Sequence, residues 1–328
     1  MEITRRTSLA IVCVITTAFS PLATPAAWAQ DYPSKPIRIV VPLPPGGSND
    51  VLARILAQKM SETFGQPVIV ENRPGAAGNI ATEFMAKAEG DGYTIAIAPN
   101  QTVSVNPVLY PKLPFDVLKD LQGVSMLGRV PMVLVVSPKM TASSVTELIA
   151  QAKANPDKFS YASAGSGSPQ HMAAEVFKSM TGTKFTHIPY KGSAPALVDV
   201  LGGSVDVMFC PINSALPHIR SGKIKALGTT GTKRLDLLPS VPIIAETVPN
   251  YESDIWIGMV APAKTPPAII NKLNAELRRS LALPDVQGKL AEQGIYAETS
   301  SPADFSKLIA SDQKRWAAVI KAANITPD

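Results

Sequence analysis

The sequence predicts an α/β fold built on two sheets. Short β-branched runs alternate with amphipathic segments that open on helix-start signals, the pattern of parallel sheets covered on both faces. At 328 residues, the chain suits two such sheets better than one. Its composition, 45% hydrophobic and 17% charged with 2 Cys, excludes disordered, coiled-coil and disulfide-scaffold classes. The net charge of +5 comes from dispersed Lys and Arg, with no basic run dense enough to track a phosphate backbone. Nucleic acid is therefore not expected as a partner.

The first 29 residues read as an address. Arg5 and Arg6 precede an apolar run from Leu9 to Phe19 and the sequence Ala27-Trp28-Ala29, which together make a secretory signal peptide cleaved after about Ala29. The run is about half of the roughly 20 residues a spanning helix needs. An exported, periplasmic protein is expected. Its one remaining cysteine, Cys210, allows no internal disulfide, so the fold rests on its core.

Six buried strands follow in order: Ile37 to Val41, Val68 to Val70, Tyr93 to Ala98, Met132 to Val136, Val205 to Phe209 and Ile224 to Gly228, each a run typical of covered sheets. A seventh spans Ile257 to Ala261. Ser144 and Glu147 form a capping box opening a helix through Ala154. Ser168-Pro169 opens a helix that Gly182 ends. Thr265-Pro266 opens another, and Ser301-Pro302 with Asp304 opens the last. The chain is expected to cross between domains at Val130 to Pro138 and again at Asn250 to Trp256.

Two loops carry candidate chemistry. Pro44-Pro45-Gly46-Gly47-Ser48-Asn49-Asp50 follows the first strand and leads into a helix. Its glycines permit a tight turn close to a ligand, Ser48 or Asn49 suits a cap, and a helix start at the carboxyl edge of a sheet favours an anion. An ordinary turn would use the same glycines, and the loop is neither a Walker motif nor a G-x-G-x-x-G fingerprint. The second loop, Ser163-Ala164-Gly165-Ser166-Gly167-Ser168, runs into the Pro169 helix and repeats the device. Two such starts in two α/β units suggest a ligand clamped between domains by unpaired backbone amides.

Enzyme readings are weaker. Ser166 lies in no G-x-S-x-G elbow. His171, in the first turn of its helix, is placed as a neutral hydrogen-bonding group rather than a base. The three histidines, His171, His187 and His218, match no metal spacing. No metal and no cofactor are expected. Cys210 reads as a small buried hydrophobe.

The motifs RIVVPLPPGGSND (Arg38 to Asp50), ENRPGAAGN (Glu71 to Asn79), YASAGSGSPQH (Tyr161 to His171), HIPYKGSAPA (His187 to Ala196), LGGSVDVMF (Leu201 to Phe209) and SALPHIRSG (Ser214 to Gly222) occur in that order. The chain resembles Bug-type extracytoplasmic solute receptors of tripartite tricarboxylate transporters. That resemblance implies a two-lobed periplasmic binding protein of the Venus-flytrap type, each lobe a mainly parallel sheet flanked by helices. It implies lobe 1 at 30–131 and 253–328 and lobe 2 at 132–252. The implied activity is capture of a small carboxylate and its delivery to one large and one small membrane subunit by a monomer. Ligand contacts implied by the matched motifs are Pro44, Pro45, Gly46, Gly47 and Ser48, then Thr102 and Ser104 in lobe 1. In lobe 2 they are Ser163, Gly165, Ser166, Gly167, Ser168, His171, Tyr190, Lys191 and Cys210.

Leu43, where an aromatic is common, and Cys210, where aspartate is common, depart from the family pattern. The missing acid is expected to suit an acidic or a bulkier, more apolar ligand. An exported serine hydrolase using Ser166 or Ser168, and a sensor feeding a signalling kinase, are the alternatives. The sequence names no particular carboxylate.

Overall fold

Ile37–Val41 is buried everywhere but at Arg38 and forms the first strand, β1, of a computed structural model that describes residues 32–327. The expected signal peptide lies outside the described residues. After β1 come α1 (Ser48–Phe64), β2 (Val68–Asn72), α2 (Asn79–Ala86) and β3 (Thr94–Pro99). Leu52, Leu56 and Met60 carry the buried face of α1, the spacing of an amphipathic helix. A wide helical turn at Gln101–Val105 leads into α3 (Asn106–Leu109), α4 (Val117–Asp120) and β4 (Leu121–Val130). Only Pro131 separates β4 from β5 (Met132–Val136), so one residue carries the chain into a second sheet. There α5 (Val145–Ala154), β6 (Ser160–Ser163), α6 (Pro169–Thr181), β7 (Thr186–Pro189), α7 (Ser193–Gly202), β8 (Val207–Pro211), α8 (Ile212–Arg220) and β9 (Lys225–Thr229) follow. The chain returns through β10 (Ile255–Pro262), α9 (Pro267–Leu281), α10 (Pro284–Glu292), β11 (Tyr296–Ala297) and α11 (Pro302–Ala323).

The two sheets have the orders β11-β4-β10-β3-β1-β2 and β7-β6-β8-β5-β9, each forming one lobe. Both are mixed rather than mainly parallel. β1, β2 and β3 are parallel, as are β6, β7 and β8. β10 runs antiparallel to β3 and β4, and β5 antiparallel to β8 and β9. The cause is the crossing itself. A strand entering from the other lobe starts at the edge where the native strands end, so it must run against them.

Boundaries moved for local reasons. β8 begins two residues later than expected because Val205 N–H still bonds Asp199 O at the end of α7, while the Asp206 carboxylate takes the amide and hydroxyl of Ser160. Ser144 caps α5 as expected, but Glu147 reaches back to Ser143 rather than to Ser144. Thr265 caps nothing: α9 starts after Pro266, with no side-chain cap. Ser301 caps α11 through Asp304 N–H.

The lobes share packing. Val105 and Leu109, from the lobe 1 segment between β3 and β4, join Phe177, Phe209 and Tyr251 in one buried cluster with Trp316 of α11. Tyr251, on the returning chain, donates its hydroxyl to Ala173 O and meets Phe177 edge-on.

Candidate functional site: the cleft between the lobes

Residues just beyond the carboxyl ends of β1, β3, β6 and β8 line one cavity of about 790 Å³. This is the edge at which open α/β sheets take ligands, and the volume lies within the roughly 300–1,000 Å³ of small-molecule sites.

The lobe 1 wall is the loop after β1. Pro44, Pro45 and Gly47 line the cavity. Gly46 does not; it holds the turn at φ +88°, a conformation that costs a side-chain-bearing residue about 1–2 kcal/mol. Its N–H donates to Asp50 Oδ2 at 3.0 Å. Asp50 also accepts Arg54 Nε at 2.9 Å and Asn72 Nδ2 at 2.9 Å, while Asn72 Nδ2 donates to Leu43 O at 3.1 Å. One buried carboxylate thus pins the loop from below. Burial opposes its charge, but these donors outweigh burial and hold it at about 2. Ser48 lies off the cavity wall and accepts Asn213 Nδ2 of lobe 2 at 3.3 Å.

Thr102 and Ser104 do not reach the cavity. The wide turn at Gln101–Val105 directs Thr102 Oγ1 onto Pro99 O at 3.0 Å and buries Ser104 beside Asp312. Asn100 and Gln101 line the cavity instead, with Asn49, Ala77 and Tyr110.

On the lobe 2 side, Gly165, Ser166 and Ser168 line the cavity, while Ser163, Gly167 and His171 stand behind it. Ser163 Oγ lies 2.6 Å from His187 Nε2 and accepts Gly165 N–H. His171 Nδ1 accepts Gly167 N–H at 3.1 Å. The two imidazoles stack at 4.0 Å, and His187 stacks on Tyr161 at 4.8 Å. Burial, with Glu175 accepting its hydroxyl at 2.6 Å, drives the Tyr161 ionisation far upward. The loop therefore rests on a column of rings. Ser168 Oγ takes His171 N–H as a helix cap while His171 Nδ1 takes Gly167 N–H, so this histidine braces the loop.

Tyr190, Lys191 and Cys210 also lie off the cavity. Burial, then a 2.5 Å bond to Asp199, pushes the Tyr190 phenol up to about 12. Lys191 is exposed. Cys210, in register with Val133 in mid-sheet, is fully buried, and burial lifts its thiol to about 12. Its neighbour Pro211 forms the wall. Gly192, Ser193 and Ala194 line the cavity at the start of α7, and Gln170 Nε2 donates to Ser193 Oγ at 2.6 Å. Gln170 and Ser193 were legible only as members of quoted motifs; Tyr110 carried no signal.

Among the described residues, no charged side chain lines the cavity. Some of the loop amides are already taken: those of Gly46, Gly165, Gly167 and Ser168 donate to Asp50, Ser163, His171 and Gly165 in turn. Gly167 and Ser168 are buried, where an N–H group must find a partner. What faces the cavity is proline, apolar carbon and neutral polar groups. Among the described residues, no group of three or more His, Cys, Asp or Glu is placed to hold a metal, and no helix is long and apolar enough to cross a membrane.

Behind the cleft floor, Thr230 joins the two crossings. Its Oγ1 accepts Met132 N–H at 2.9 Å and donates to Asp254 Oδ1 at 2.6 Å. Burial raises Asp254 to about 6 against the Thr230 bond and Arg129, with Glu252 and Glu298 adding to the rise.

Two α/β lobes, two crossing strands and a cleft at facing strand ends define a bilobed solute-binding protein. The tripartite tricarboxylate transporter family receptor profile (TctC) matches residues 52–325, and the chain belongs to that family. It is 40% identical over 317 residues to Protein BugT of Bordetella pertussis, covering 96% of this chain and 97% of that one. The solved structure of R. palustris Rpa4515 with adipate is 36% identical, covers 91% of this chain and 100% of its own, and superposes with a TM-score of 0.80. MatC of Rhodopseudomonas palustris with bound malate is 30% identical, covers 88% and 100%, and has a TM-score of 0.76.

Proposed function

We propose that this receptor captures a small carboxylate in the cleft and hands it to a transporter with one large and one small membrane subunit, making and breaking no bond itself. The observation that carries this reading is the 790 Å³ cavity at the carboxyl edges of both sheets, walled by both lobes. Lobe 1 takes in 30–131 and 253–328, lobe 2 takes in 132–252, and the monomer works in the periplasm after loss of residues 1–29.

Pro44, Pro45, Gly47 and Asn49 hold one side of the ligand; Gly165, Ser166, Ser168, Gln170 and Ser193 hold the other. Gly46, Ser48, Thr102, Ser104, Ser163, Gly167, His171, Tyr190 and Cys210 act from behind the wall, and Lys191 stands exposed beside it. Moving the lobes from 1:99 to 99:1 closed requires about 5.5 kcal/mol of differential binding. Hydrogen bonds to a charged group contribute roughly 1.5–3 kcal/mol each, so three or four donors divided between the lobes suffice.

Thermal melting and calorimetric titration with adipate, malate and other carboxylates, alongside ester and amide hydrolysis assays, test the reading. A carboxylate that raises the melting temperature without turnover supports it. Turnover abolished by Ser166→Ala contradicts it.

A further inference from the structure

The cleft's lining names a ligand class more narrowly than its topology does. Leu43, Pro44 and Pro45 form a continuous apolar strip on lobe 1, Pro211 stands on lobe 2, and Ile255 forms the floor where the returning chain enters β10. Tyr110 adds an aromatic wall at the end of α3. The polar groups are neutral amides and hydroxyls: Asn49, Asn100 and Gln101 on one lobe, Ser166, Gln170 and Ser193 on the other. Lys191, next to Gly192 in sequence, is exposed and does not line the cavity.

We propose that the cleft selects carboxylates with an apolar body, charged only at their ends, over hydroxylated di- and tricarboxylates; this rests on the carboxylate-binding reading above. A charge or hydroxyl in mid-molecule would face proline rings and aliphatic carbon. There it would lose its water without gaining a partner, which is costly. Among the described residues, no lysine, arginine or histidine lines the cavity to offset a crowded polyanion. Each methylene laid on the apolar strip is instead favourable. The volume of about 790 Å³ leaves room for a body several methylenes long. The neutral groups at the two lobes suit the ends, where charge-assisted hydrogen bonds need no cation.

Calorimetric titration of two homologous series tests this: linear monocarboxylates from butanoate to octanoate, and dicarboxylates from succinate to suberate, with malate and citrate as polar comparators. In whichever series binds, affinity is expected to rise about fourfold per added methylene, the ≈ 0.8 kcal/mol of a buried CH₂, until the cavity is full. Malate and citrate should bind at least tenfold more weakly than the best member. Leu43→Asn should shrink that ratio at least threefold, with circular dichroism confirming an intact fold. Affinity flat in chain length, or tightest for malate or citrate, overturns the inference while leaving the carboxylate reading intact. Methyl esters binding as well as the acids, or no acid binding, overturns both.

Discussion

The two walls of the cleft are held in place by different physics. The lobe 1 loop is fastened by charge: Asp50, buried and ionised, gathers Gly46 N–H, Arg54 and Asn72 beneath the prolines. The lobe 2 loop is fastened by rings: Ser163 and Gly167 hang on His187 and His171, which stack on one another above Tyr161. Both devices occupy loop amides that a glycine-rich sequence suggests are free. The ligand is left with neutral groups on a largely apolar wall. Rigid loops lower the ordering cost of binding, so the support beneath each wall bears on affinity without touching the ligand.

Substitutions that remove one fastening at a time sharpen the contrast. Asp50→Ala should have the largest effect, about 3 kcal/mol by urea unfolding, since it removes a buried acceptor shared by the Gly46 amide, Arg54 and Asn72; Asp50→Asn should recover part of it. His187→Ala should cost about 2 kcal/mol through the lost stack and serine bond.

Acid separates the charged fastening from the crossing. Asp50 is depressed to about 2, so its contribution is complete above its unfolded pKa of 3.8 and fades as pH falls toward 2. Discounted for the half-exposed Arg54 partner, this is about 1–2 kcal/mol. Asp254 has the opposite sign. Raised from 3.8 to about 6, it stabilises fully below 3.8 and loses that as pH rises through 6, on the order of 2 kcal/mol. Asp254→Asn should flatten the melting temperature between pH 4 and 6, and a slope unchanged by that substitution would contradict the assignment.

Gly167 faces lobe 1 at φ +73°, where an added Cβ would lie 2.4 Å from Leu109 Cδ2. Gly167→Ala should cost about 1–2 kcal/mol in stability and weaken ligand binding, because the lobes can no longer meet there. Leu109→Ala in the same chain should restore part of the binding. Ser166→Ala should be the mildest, below about 0.5 kcal/mol in stability, yet weaken binding several-fold by the loss of one hydrogen bond.

Much of the fold was readable. The strand at Ile37–Val41 and the helices opened by Ser144, Ser168 and Ser301 stand where their apolar runs and caps put them. β4 was missed because Gly123, Ser125, Gly128 and Arg129 break its apolar run, and it earns its place by pairing with β10. Of the site, the loops were readable because glycine and proline mark turns. Which residues face the cavity was readable only in part: Pro44, Pro45, Gly47, Gly165, Ser166 and Ser168 line it, and the other expected contacts do not. Thr102 and Ser104 turn inward because a wide helical turn follows β3, a geometry with no residue signature. Cys210 is hidden by the alternation of sides along β8, which gives the wall to Pro211.

Hydrogen exchange with and without a bound carboxylate tests the central claim most directly. The account predicts that one ligand slows exchange together in residues 43–51, 164–172 and 192–196, on both lobes at once. Slowing confined to one lobe, or appearing away from these three segments, would contradict it.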